Sequence, residues 1–453
     1  MEAFDFSVGS FGDQRLEKVG RDFHEALVER ASPRIRRLAR GRAQEVQFHR
    51  MLRNLKVGAA EMAASVGART GLRARGCDIA LIQDTSAIAV GGTKLGKKGF
   101  GPVGKGGAVR GILSHVAIAV DIKKGALLGL VDAQVWTRTG GKVKDDRKRP
   151  FEEKESYRWL RACEIAQERL AGARAITMVA DAEGDIFELF AGLPEGMDVV
   201  VRSGGDRKLE NGSLLIETVA KLPVSKQIER VIPAIPGRKK RLAKFDLRWG
   251  EVRLKVPEGL PKGTPASLGL TVLDVREVDA PEGVEPVHWL LLTSHAIGNA
   301  RRAVEVLDIY RGRFFIEQLF RTLKSAGFDI EESAIENPKA LMTFAGYAII
   351  ASVSVMQLVK ARDGGSGQTH ADCFDPADKP LIAALSRRLE GKTPRQKNPH
   401  HPDDLAFASW VIARLGGWTI YYGKAGPAVM RQGLDRFYAI KLGAEIVKDL
   451  QIR

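Results

Sequence analysis

Four residues in the stretch 307–333, LDIYRGRFFIEQLFRTLKSAGFDIEES, have types and spacing suited to chemistry on a phosphate. Read as one helix, Tyr310, Arg313, Glu317 and Lys324 follow one another at steps of three, four and seven residues. Such steps return to one face, because about 3.6 residues make a turn. A phenol, a guanidinium, a carboxylate and an ammonium then line one side, while Phe314, Phe315, Leu319 and Leu323 form a core stripe on the other. The bland alternative is an amphipathic helix with a solvated charged face. A lone carboxylate among cations instead resembles a metal ligand beside phosphate binders more than an alternating solvated face.

A single carboxylate does not hold a cation well, so the elements that supply partners matter. In CDIALIQDTSAIAV the apolar run Ile79–Ile82 reads as a buried strand with Asp84 at its exit. Ala175–Ala180 (AITMVA) reads as a second, ending on Asp181 in ADAEGD. Taken alone, an aspartate at such a place is more often a turn or cap residue. Between these strands lie two more, Ile112–Val120 and Ala126–Val135, joined by DIKKG, then a helix over Phe151–Leu170. A short helix, Asp185–Phe190, and a strand, Val199–Val201, follow. Three meandering strands, a helix, a strand, a helix and a strand make the RNase H-like order of an α/β core. Its crossover returns the fourth strand parallel to the first. Asp84 and Asp181 are then expected side by side at strand C-terminal ends, where open α/β sheets place ligands.

The spacing Tyr-x2-Arg-x3-Glu-x6-Lys resembles, residue for residue, the signature of the bacterial DDE cut-and-paste transposases of the insertion-sequence-four family. QDTS around Asp84 is similar to the context of that family's first catalytic aspartate, and the helical region before RNLKV resembles its end-binding domain more loosely. Trp289, opening HWLLLTS, matches the tryptophan that in the family stacks on a base flipped from the transposon end. Alone, a tryptophan opening an apolar strand is usually core material. ARLGGW and the helix after it are similar to the family's C-terminal segment, which supports dimerisation. The resemblance implies a transposase that nicks the element's end, forms and opens a hairpin, and transfers strands into target DNA, assembled on DNA ends as a homodimer. A catalytically inactive transposition inhibitor or a domesticated copy is the alternative; intact Asp84, Asp181 and Glu317 argue against it.

As a triad, Asp84, Asp181 and Glu317 are expected both to catalyse and to ligate metal. Converging carboxylates repel one another, and a hard divalent cation is the natural remedy. Two Mg2+ ions, with Mn2+ as a substitute, suit in-line phosphodiester displacement by water or a 3′-hydroxyl. Arg313 and Lys324 would hold the phosphate flanking the scissile bond, with Tyr310 bonded to the same backbone.

Composition agrees with a polyanionic partner. The 453 residues carry a net charge of +16, which suits double-stranded DNA, with an anionic membrane the lesser option, and fits poorly with a carboxylate-pair hydrolase of sugars. Arg34, Arg36, Arg37 and Arg40 crowd a helical stretch and are candidate DNA contacts, against a solvated face as the alternative. The loop GGTKLGKKGFGPVGKGGAVRG lacks the GxxxxGK[ST] order of a nucleotide site; its Lys94, Lys97, Lys98 and Lys105 suit a DNA backbone instead. Three separated cysteines, Cys77, Cys163 and Cys373, suggest neither zinc nor a disulfide framework. The acidic N-terminus lacks a signal-peptide layout, and the resemblance implies the bacterial cytoplasm, with association to the nucleoid. The uncharged run Leu341–Val359 reads as a buried helix rather than a membrane span. Adjacent His400 and His401 read as loop residues within Lys392–Asp403. The expected organisation is a helical DNA end-binding domain over 1–71, an RNase H-like catalytic domain over 72–362 with a β insertion at about 206–287, and a C-terminal helical region over 363–453.

Overall fold

A computed structural model describes residues 8–91, 98–104, 108–138, 149–232, 240–261 and 263–451. Lys94, Lys97 and Lys105, residues 139–148 of the basic loop before the first central helix, and 237–239 of the basic run GRKKRLAK lie outside them. The chain opens with α1 (Gln14–Arg30), α2 (Ile35–Leu38), α3 (Arg42–Arg53) and α4 (Ala59–Arg73). Asp13 starts α1 by accepting from the Arg15 and Leu16 amides, the usual office of an aspartate N-cap. Then come β1 (Asp78–Ala89), β2 (Gly101–Val103), β3 (Val109–Asp121), β4 (Leu127–Trp136), α5 (Tyr157–Arg169), β5 (Ala175–Ala180), α6 (Phe187–Ala191) and β6 (Met197–Arg202). An excursion of α7 (Leu215–Ala220), β7 (Lys226–Ile232), β8 (Arg241–Lys255) and β9 (Ser267–Val278) returns through β10 (His288–Thr293). Helices α8 (Ala300–Arg311), α9 (Phe314–Lys324), α10 (Pro338–Ala361), α11 (Lys379–Leu389), α12 (Leu405–Leu415) and α13 (Pro427–Gln451) complete the chain.

The protein is mixed α/β, with ten strands in one mostly antiparallel sheet of order β2-β3-β1-β5-β6-β10-β9-β8-β7, and β4 on β3. Strands β1, β5 and β6 are parallel to one another, and β3 is antiparallel to β1. The segment expected as a β insertion forms antiparallel strands. Its strands extend the sheet, because β10 pairs with β6 on one side and β9 on the other.

Side-chain alternation divides the sheet into two buried faces. Ala80 and Ile82 of β1 join a core built with α1–α4 and α8–α13, whereas Ile79 and Leu81 join one built with α5–α7. Through α4, which lies against β4 and α10, the N-terminal helices share the first of these cores, and the expected boundary at 71/72 falls inside α4. At the centre of that face lies α10, started by Asn337, whose side chain accepts from Ala340 N, with Pro338 in its first turn. It is the one described helix long and apolar enough to cross a membrane, and 89% of its apolar window is buried in the core.

The stretch 307–333 departs from the single helix expected. The helical hydrogen bonds tighten to i→i+3 at Gly312→Ile309 (3.0 Å), Arg313→Tyr310 (2.9 Å), Phe315→Gly312 (2.9 Å) and Ile316→Arg313 (3.1 Å), separating α8 from α9. Helix α9 ends at Lys324, and Glu331 sits in a separate turn, Ile330–Glu332. The overwound turn also shifts the core stripe. Ile316, Leu319, Phe320 and Leu323 are buried, whereas Phe314 is 42% exposed and Phe315 only partly buried, with the Lys360 ammonium 3.7 Å from its ring centre.

Candidate functional site

The parallel register of β1 and β5 ends at Ile82 opposite Val179. Two residues further along each chain stand Asp84 and Asp181, so equal steps from one register point bring both to the same edge. By alternation Asp84 faces the α9 side with Ile82. Strand β1 runs on to Ala89, paired only with β3, so Asp84 lies inside the strand rather than at its exit. Asp181 caps the turn Ala182–Gly184, accepting from Glu183 N at 2.9 Å.

Arg313 joins these carboxylates to α9. Its Nη1 lies 3.8 Å from Asp84 Oδ2 and 3.7 Å from Asp181 Oδ2, and its Nη2 donates to Glu317 Oε1. The tight turn explains the placement: at three residues per turn, positions i and i+3 eclipse, which stacks Arg313 on Tyr310. Arg313 and Glu317 are then related by one ordinary α-helical turn. Gly312 serves close approach, since a Cβ there would stand 3.0 Å from the Ile309 carbonyl and 3.8 Å from Ile82 of β1. The expected convergence of Tyr310, Arg313, Glu317, Asp84 and Asp181 therefore occurs, across a break instead of along one helix.

Exposure of the three carboxylates is graded, at 14% for Asp84, 29% for Asp181 and 43% for Glu317. Burial, and then the Asp181 charge, push the Asp84 carboxyl up to about 7. Burial opposes the Arg313 charge, but Glu317, Tyr310, Asp181 and Asp84 together hold it above its ordinary range. Burial depresses Lys324, with Glu331 and Asp84 acting the other way. Glu331 accepts from Ala89 N at 3.0 Å, which ties it to the backbone of β1.

Asp84 supplies a pH prediction. Its folded-state value exceeds the ordinary 3.8, so its proton stabilises the folded protein. That contribution is complete below the unfolded value and is lost as pH rises through about 7. In EDTA the melting temperature should fall between about pH 5.5 and about pH 8, and Asp84→Asn should flatten that fall. An undiminished fall in the variant would assign the dependence to other groups.

Behind Asp84, on the α5 side, lies a network that sequence spacing did not disclose. His115, 1% exposed, stands opposite Thr85 in the β1–β3 ladder, its Nδ1 2.9 Å from the Thr85 hydroxyl and its Nε2 3.0 Å from Gln83 Oε1. Gln83 Nε2 reaches Cys163 Sγ at 3.1 Å, and the Thr85 amide donates to Asp84 Oδ1 at 2.8 Å. These contacts clamp β1 from behind where β5 no longer supports it. Burial and then Arg158 lower the His115 pKa to about 3, keeping the ring neutral. Glu183 was also missed: burial and then Asp181 raise its carboxyl, and it adds negative charge beside Asp84. A histidine in an apolar run and a second acid in ADAEGD were the available signals.

Trp289 borders the same site. Its ring stacks on Phe245 (5.8 Å between centroids, 12° between planes) and meets Tyr310 edge-on at 6.3 Å. It is partly buried, intermediate between a core residue and a free platform. Arg34, Arg36, Arg37 and Arg40 gather elsewhere, on and beside α2. Ile35 and Leu38 anchor that single turn in the core, and all four arginines are exposed. No protein-family model matches the chain.

Proposed function

We propose that the protein is a DDE-type DNA transposase, which cleaves and joins phosphodiester bonds at a site formed by Asp84, Asp181 and Glu317. The observation that carries this reading is the meeting of two parallel-strand aspartates with Arg313 and Glu317 at one sheet edge. The order β4-β3-β1-β5-β6, with β5 and β6 parallel to β1, supports an RNase H-like core. The donors are hard carboxylate oxygens, and burial followed by the Asp181 charge raises Asp84, so the set suits a hard divalent cation. Asp84, Asp181 and Glu317 would hold two Mg2+ ions, or Mn2+, which when bound activate water or a 3′-hydroxyl and stabilise the leaving oxygen.

The chain's own groups bind and orient. Arg313, now shared among carboxylates, presents a fork that matches a phosphate equally well. Tyr310 supports that fork, and Lys324 adds a second positive charge about two helical turns beyond Glu317. The exposed arginines around α2 suit phosphates of double-stranded DNA, bound by a homodimer assembled on two ends. Incubation of the protein with a labelled duplex carrying the flanks of its own gene tests the reading: nicking that requires Mg2+ or Mn2+ supports it, and an intact duplex under both ions refutes it.

Trp289 bears on the hairpin step. A 3′-hydroxyl reaches the opposite strand only if a base leaves the stack, and base–aromatic stacking offsets about 1–3 kcal/mol of that loss. Trp289→Ala should spare the first nick and slow hairpin formation by roughly ten- to a hundredfold. A denaturing-gel time course separates the species; equal slowing of both steps would reduce Trp289 to a packing partner of Phe245.

A further inference from the structure

The segment 387–397, RRLEGKTPRQK, holds five cations and one acid at the end of α11. Arg387, Arg388, Lys392, Arg395 and Lys397 are all exposed, and none makes an ion pair among the described residues. The lone acid, Glu390, accepts instead from Ser386 Oγ (3.2 Å) and Asn398 N (3.4 Å). Against this segment lies the loop 416–424, GGWTIYYGK. Arg414 ties the two together, donating to the Leu389 carbonyl at 3.1 Å and the Trp418 carbonyl at 2.9 Å.

The loop is built rather than slack. Trp418 Nε1 donates across it to the Gly423 carbonyl at 3.0 Å, and Ile420 is held at φ 75°. A β-branched residue adopts that left-handed conformation only where its surroundings impose it. The outcome is a tip presenting Tyr421 and Tyr422, the latter 86% exposed, with the Arg395 guanidinium 5.0 Å from the Tyr421 ring centre. Neither ring is needed to fill a core, and four net positive charges adjoin them.

We infer that this basic-aromatic surface is a second nucleic-acid site, in which Lys392, Arg395 and Lys397 take backbone phosphates and Tyr422 stacks on an unpaired base. Cations along a backbone beside exposed rings are the features by which single strands are held. A bilayer fits less well, because the exposed apolar area is two phenols without an aliphatic wedge. The inference goes beyond the proposed chemistry, since binding here uses no carboxylate of the triad.

The test is anisotropy of the full chain, without divalent cation, on a blunt duplex and on the same duplex with a single-stranded tail. The tailed probe should bind more tightly, and Tyr422→Ala should weaken it by about tenfold while leaving the blunt duplex unaffected. Lys392→Ala, Arg395→Ala and Lys397→Ala together should flatten the log affinity against log salt slope by about 0.7–0.9 per lost phosphate contact. Because all four residues are exposed, the variants should melt with the unaltered protein. Unchanged affinity and slope in both variants would overturn the inference. So would variants that change only self-association in sedimentation, or only binding to anionic lipid vesicles. Cleavage plays no part in the readout, so loss of the proposed activity would leave this result standing.

Discussion

Alanine at Asp84, Asp181 or Glu317 is expected to lower Mg2+-dependent strand cleavage by at least about a thousandfold, or about 4 kcal/mol in the barrier. Each would remove one of three carboxylates at a shared edge, and none is replaceable by a neighbour in place. Glu183 stands beside Asp84 and Asp181, but on the turn that Asp181 caps. Glu331 is committed to the Ala89 amide of β1. Affinity for DNA should change little, because the exposed arginines of α2 are untouched. Stability separates the three variants further. Asp84 is the most buried and the most costly to ionise, so Asp84→Asn should leave the fold unchanged or more stable near neutral pH. The decisive measurement is a single-turnover nicking assay beside a melting curve for each variant. Cleavage within tenfold of the unaltered rate would exclude that residue from the triad.

Arg313→Ala is expected to act in the opposite sense, on the fold before the chemistry. Its guanidinium is 14% exposed and is the positive charge nearest all three carboxylates. Removing one partner of a buried charge set typically costs about 3–5 kcal/mol, because the charges left behind lack compensation. In EDTA the variant should melt well below the unaltered protein. Added Mg2+ should recover more of its stability than it gives the unaltered chain, since a ligand that binds only the folded state stabilises by mass action. Arg313→Lys should fall between, because a point charge does not fork among three carboxylates. Equal melting temperatures for Arg313→Ala and the unaltered protein, at any Mg2+ concentration, would mean that these ion pairs contribute nothing. The proposed phosphate contact would then be the sole role left for Arg313.

Much of this site was legible from residue order. The apolar runs before Asp84 and Asp181 are short, bounded and β-rich, and both formed the expected parallel strands. Leu341–Val359 became a buried helix because its neighbours on α3, α4, α9 and β4 cover it all round. The break at Gly312 was hidden by periodicity itself. Steps of three and four residues fit a tightened turn as well as a regular one, and only a glycine inside the pattern marked it. Phe314 faces outward for the same reason. The Gln83–His115–Thr85 clamp was illegible because its members meet across strands, and a hydrogen bond between strands leaves no local spacing to read. The union of β7–β9 with the main sheet was equally hidden, since edge pairing depends on where β10 lands and not on the strands' own composition.

That union sets the order in which the molecule can assemble. Strand β6 acquires its outer neighbour only when Arg202 meets Leu291, after the whole of α7 and β7–β9 has been made. Asp84 meets Arg313 later still, once α8 has followed β10. Non-local pairings of this kind carry a loop-closure cost before any contact rewards it, and they slow folding. The arginine-bearing helices at the N-terminus make their first contacts among themselves, between α1, α2 and α3. On a ribosome, α1, α2 and α3 can therefore meet one another before the edge that joins Asp84 to Arg313 is made.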